Sequence, residues 1–150
     1  GTTGAAARTA SCAERRLRRA GRLSTVAVPP NRDARMIDRI DPGPRLSEAT
    51  RHAGIVYCAG QVPETLDGDI RLQTREVLAA IDALLAQVGS DRTQLLFAQI
   101  FLADIADVDG MNAEWDQWVP PGAAPARATV EARLADPRWR VEIVVTAAVA

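Results

Sequence analysis

At 150 residues, with 47% hydrophobic and 25% charged side chains, the chain has the size of one domain able to bury a core without disulfide staples. Its formal net charge is −1, and two cysteines and one histidine leave no cluster for a disulfide framework, a zinc site or a histidine-based triad. No apolar run reaches the length of a membrane span, and there is no glycine-rich phosphate loop.

Charge is unevenly spread along the chain. Residues 1–35 hold eight arginines against two acidic residues, and residues 36–150 hold ten arginines against seventeen, giving +6 and −7; lysine is absent. The first segment lacks sustained apolar periodicity, so it is expected to be a disordered basic tail ahead of a single domain at 36–150. Three roles are open to it: an organelle transit segment, an arm for nucleic acid or an anionic surface, or translated sequence ahead of a start at Met36. The last is favoured, because the domain pattern begins at Met36 and the chain opens on Gly1.

Met36 to Asp41 reads as an edge strand stopped by Pro42 and Pro44. Ser47 to His52 and Ile55 to Gly60 flank Ala53 and Gly54, which predicts a hairpin with a tight turn. Cys58 lies in the apolar run of the second arm, where a small buried thiol is expected. Val77, Leu78, Ile81, Leu84, Leu85 and Val88 then recur at helical spacing, with Asp67 or Asp69 placed to cap the start and Gly89 just past the end. Leu95 to Leu102 is the most apolar strand. Asp107 is placed to cap a second helix running through Trp118, on which Trp115 and Trp118 share a face and read as packing residues.

After a loop containing Pro120, Pro121, Gly122 and Pro125 come two more strands, PARATVE at 125–131 and RVEIVVTAAV at 140–149. Turn chemistry at Ala135, Asp136, Pro137 and Arg138 predicts that they form a hairpin. Alternation puts Ala126, Ala128, Val130 and Ala132 on a packing face and Arg127, Thr129, Glu131 and Arg133 on a face free for chemistry. In the last strand Glu142 stands beside Val144, Thr146 and Ala148, and a carboxylate among apolar neighbours needs a partner, a hydrogen bond or a proton. A cross-strand salt bridge is the plain explanation and a catalytic role the sharper one. If Leu134 faces Trp139, Glu131 faces Glu142, and Arg127 lies four residues from Glu142, roughly 13 Å along the strands.

Taken in order, YCAGQVP at 57–63, DIRLQTREVLAAIDALLAQVGSD at 69–91, the strand at 95–102, MNAEWDQWV at 111–119, PARATVE and RVEI carry a resemblance. From about Met36 to Ala150 the chain resembles the RidA/YjgF family, enamine and imine deaminases also labelled translation inhibitors. The resemblance implies a chorismate mutase-like α+β fold, a mixed sheet packed against two helices, in a cytoplasmic homotrimer with its active sites in clefts between subunits. It implies that Arg127 binds the carboxylate of an imine substrate, that Glu142 positions the hydrolytic water and that the Thr129 backbone carbonyl helps to hold it. Gly60 matches the pocket floor, and Asn112 matches a polar pocket residue contributed by the neighbouring subunit. Two positions depart from the pattern: Leu46 stands in the register of a family tyrosine, and Ala59 replaces a serine before GQ. The substrate side of the pocket therefore differs from that of the best studied deaminases.

The implied chemistry suits these residue types. Imine hydrolysis needs a positioned substrate, a positioned water and the handling of one proton, and requires no metal or cofactor. A bidentate contact from Arg127 contributes about 1.5–3 kcal/mol, and lysine lacks the planar fork that makes it. Two other classes compete: a trimer that senses a carboxylate metabolite without turnover, and a regulator directed at RNA or translation. The acidic balance of residues 36–150 argues against nucleic acid as a partner.

Overall fold

The computed structural model describes residues 36–149, so the expectations for the basic tail lie outside the described residues. Six strands form one mixed sheet: β1 (Asp38–Pro42), β2 (Ser47–His52), β3 (Ile55–Cys58), β4 (Leu95–Leu102), β5 (Ala126–Glu131) and β6 (Val141–Ala148). The long helix α1 (Ile70–Gln87) and the shorter α2 (Val108–Trp118) complete the α+β fold expected from the sequence.

Local chemistry accounts for these elements. Ala53 and Gly54 turn the β2–β3 hairpin with φ of +49° and +78°, a left-handed pair that matches strand twist. Of the two caps foreseen for α1, Asp69 is the one used, its carboxylate accepting from Leu72 N at 2.8 Å. The periodic residues Val77, Ile81, Leu85 and Val88 are fully buried against Ile100, Ile143 and Val145 of the sheet. Asp107 stands at the start of α2 without making the side-chain cap; its carboxylate instead takes both ends of the Arg140 fork, at 2.9 and 2.7 Å. Cys58 is buried, and burial pushes its thiol pKa up to about 12, which removes it from thiolate chemistry.

Strand β1 runs through Pro42 rather than stopping before it, and the expected final hairpin is not formed. The strands carrying Arg127 and Glu142 are not a hairpin: the sheet order is β1-β2-β3-β6-β4-β5, with β4 lying between them. β4 is apolar enough to be flanked on both sides, so β5 returns beside it in parallel through the α2 crossover and β6 pairs antiparallel with its other edge. The link from β5 to β6 arcs over the end of β4, where Ala132 N donates to Leu102 O and Ala103 N donates to Arg140 O. Turn residues at 135–138 mark a bend in that arc, where Arg138 N donates to Asp136 Oδ1.

Gln73 fixes the entry into β6. Fully buried on α1, it donates through Nε2 to Thr65 O and Arg138 O and accepts from Arg140 N at 2.7 Å. Gln73→Met keeps the size of the side chain and strands three backbone groups, so it is expected to cost about 2–5 kcal/mol of stability. The shift in the urea midpoint measures it, and a loss below about 1 kcal/mol would show that Gln73 does not hold this junction.

Candidate active site

Strand register decides which candidates meet. Arg127 pairs with Ala98, and Thr129 with Ile100, both on the buried helix side of β4. Glu142 pairs with Phe101 and therefore lies on the opposite, outer side of the sheet, in one row with Phe101 and Val130. Arg127 and Glu142 are thus three rungs and two strand spacings apart, about 14 Å, and on different faces. The shared polar face inferred from a hairpin register does not exist. The apolar set of β5 is likewise not packed in this chain's core: it faces outward, and Val130 is 43% exposed.

On the helix side, β5 and α2 build a cationic group. The Arg127 guanidinium carbon sits 5.2 Å from the centroid of the Trp115 ring, and Nη1 donates to Asn112 Oδ1 at 2.9 Å. Asn112 and Trp115 lie three residues apart on α2, which brings both to the same face of the helix. Among the described residues no carboxylate pairs with Arg127. Thr129 follows on the same face, its Oγ1 buried without a hydrogen-bond partner among the described residues. Asn112 therefore belongs to the same chain's Arg127 group, and it is Glu142 that stands apart from both.

On the outer side, Glu142 lies over Gly60. A methyl group at Gly60 would come within 2.9 Å of the Glu142 carboxyl carbon and closer still to Oε1, so the absent side chain is what leaves room for this carboxylate. The chain reaches Gly60 because Gln61 pairs with Ile143 of β6, and Ala59 is held by its amide donating to Glu48 O at 2.8 Å. Glu142 is half-buried and forms no hydrogen bond or ion pair with the described residues, so the salt bridge considered for it is not formed there. Its carboxyl pKa is raised above the ordinary carboxylate value because burial disfavours the charged form.

Leu46 joins neither group. It lies in the β1–β2 connection and lines a cleft of about 550 Å³ against α1, with Gln61, Glu76, Ala80 and Leu84. A roomy cleft thus stands apart from both charged groups. Trp115 is the residue that sequence reasoning passed over: it is a packing residue as expected, 5% exposed, yet it also carries the guanidinium. The signal was its spacing of three from Asn112.

Residues 36–149 match the family model described as Endoribonuclease L-PSP. A RutC family protein of Haemophilus influenzae is 54% identical over 112 residues, which cover 74% of this chain and 97% of that protein. The RutC family protein YoaB of Escherichia coli K12 is 48% identical over 113 residues, 75% of this chain and 98% of YoaB. Among solved structures, that of NMB1025 from Neisseria meningitidis, a member of the YjgF protein family, superposes with a TM-score of 0.76 at 46% identity, covering 79% of this chain and 98% of NMB1025.

The raised carboxyl pKa has a consequence for stability. Folding binds the Glu142 proton more tightly than the unfolded chain does, so the charged form costs stability above the folded pKa, and the cost fades as pH falls through it. Glu142→Gln is expected to be more stable than the parent at pH 7, with the difference vanishing toward pH 4. Urea unfolding at the two pH values tests this; an equal difference at both would refute the burial cost.

Proposed function

Since this chain belongs to the Endoribonuclease L-PSP family, which includes RutC and YjgF proteins, we propose that it hydrolyses reactive 2-imino and enamino acids to keto acids and ammonia. The observation that carries the reading is that Arg127 is held by Trp115 and Asn112, that Glu142 stands half-buried in the space left by Gly60, and that each lacks an opposite charge among the described residues. An uncompensated guanidinium suits a carboxylate ligand, and an unpaired, half-buried carboxylate suits the transfer of a proton.

In the proposed reaction Arg127 holds the substrate carboxylate through two parallel N–H donors. Glu142 accepts a proton from water as the oxygen adds to the imine carbon, then passes it to the nitrogen. Glu142 then takes the hydroxyl proton of the carbinolamine and delivers it to the amine, so that the C=O bond forms as the C–N bond breaks and ammonia leaves with the keto acid as the other product. The raised pKa of Glu142 brings its proton affinity closer to that needed near neutral pH. Gly60 gives the carboxylate its space, and Thr129, next but one to Arg127, carries the backbone carbonyl assigned to the water.

Because Arg127 and Glu142 are on opposite faces, one site containing both is composed of two copies of the chain. The outer sheet face supports this. It exposes Tyr57, Phe97 and Val130 at 53%, 40% and 43% around the half-buried Phe101 and Val144, an apolar surface suited to burial against another copy. A ring of three, with one site at each junction, closes such a contact. RNA is the weaker substrate class, because residues 36–150 carry seventeen acidic residues against ten arginines.

Arg127→Ala is expected to lower kcat/KM for iminobutanoate hydrolysis roughly 10- to 100-fold, and Glu142→Gln roughly 10²- to 10⁴-fold. Co-assembly of the two variants gives mixed trimers, each with one junction that joins an intact Arg127 to an intact Glu142. Keto acid release should then recover to roughly a quarter of the parent value. No recovery in demonstrably mixed trimers would refute a site shared between copies, and no loss in either single variant would refute the deaminase reading.

A further inference from the structure

We propose that Trp115 and Asn112 are positioning residues that turn Arg127 into a donor-only cradle and so make the site select carboxylates over their neutral esters. The inference rests on the carboxylate-binding role proposed for Arg127 and adds how that role is built. An exposed arginine is ordinarily a mobile, solvated side chain that gives up rotamer freedom when it binds a ligand. Here two contacts fix it beforehand: the indole ring covers one face of the guanidinium, and Asn112 Oδ1 takes one Nη1 proton.

The platform under Arg127 is itself braced. Trp115 packs against Trp118 with ring centroids 5.4 Å apart and a 50° tilt. Trp118 is held from behind, its Nε1 donating to Asp82 at 2.9 Å, while Arg92 pairs with the same carboxylate, lies 5.1 Å over the Trp118 ring and donates to Trp118 O. Each of the two tilted rings therefore carries one guanidinium. Arg92 is neutralised by Asp82, whereas Arg127 meets an uncharged amide. That difference separates a structural arginine from one kept available for a ligand.

Asn112 contributes in a second way. With Oδ1 turned toward the guanidinium, its Nδ2 protons remain as further donors beside the four N–H groups that Arg127 has left. Asn112 Oδ1 is thereby committed to the guanidinium, and what the two side chains turn toward a ligand is N–H donors. Two carboxylate oxygens match these, whereas a methyl ester brings one good acceptor and no charge.

Calorimetric titration with 2-oxobutanoate and with its methyl ester tests the inference without turnover. Trp115→Leu is expected to weaken keto acid binding roughly 3- to 30-fold with little change for the ester, and Trp115→Phe to restore part of the loss. Asn112→Asp, close in shape to the parent, is expected to pair with Arg127 and weaken keto acid binding at least 10-fold. It decides the matter if Trp115→Leu does not fold. Parent-like keto acid affinity in Trp115→Leu or Asn112→Asp, or equal losses for acid and ester, would overturn the inference. So would a parent protein that does not bind the keto acid. A parent that binds the keto acid but does not accelerate imine hydrolysis would refute the deaminase reading and leave the cradle standing.

Discussion

Side chains in one row of a sheet share a face, so the path of the chain from Arg127 to Glu142 around the end of β4 determines what the site can be. Had β5 and β6 paired directly, both charges could have faced one pocket of one chain. With β4 between them and an odd number of rungs separating their rows, they project to opposite sides. The arrangement depends on β4: its alternate residues Ala98, Ile100 and Leu102 bury completely, and each of its edges binds one of the two strands.

The two charges are also supported differently. Arg127 sits on the edge strand β5, where the aromatic face of Trp115 and the amide of Asn112 on α2 hold it without cancelling its charge. Glu142 lies toward the middle, where burial would ordinarily eliminate a lone carboxylate or pair it with a cation. Gly60 makes space for it and nothing described neutralises it. A chain that needed only stability would do better with an apolar residue at this position. The unpaired carboxylate and the exposed apolar sheet face are both costs to a single chain, and the proposed site shared between copies accounts for the two together.

Much of this fold was legible in the sequence, for local reasons. The 3.6-residue rhythm of α1, Asp69 before it, Ala53-Gly54 in the hairpin and the apolar run of β4 each specify their own element. Strand adjacency was not legible in the same way. The turn residues Ala135 to Arg138 bend the chain whether it doubles back on its neighbour or passes over the end of β4, and only the packing of the whole sheet chooses. Alternation separated the two sets of β5 correctly, but taking the apolar set as the packed one put the wrong set toward the core. Alternation and an apolar setting singled out Arg127 and Glu142 as candidates, and the family resemblance added Gly60 and gave each residue its role. The Trp115 platform was missed because burial and support of a cation leave the same mark in a sequence, an aromatic residue on the apolar side of a helix.

The central claim is that the cation and the carboxylate of one site come from different copies of the chain. A crystal structure of the assembled protein with 2-oxobutanoate bound tests it most directly. The account predicts the ligand's carboxylate on Arg127 of one copy and its carbonyl carbon facing Glu142 of the next. A ligand bound within a single chain, or held elsewhere while Arg127 points into solvent, would contradict it.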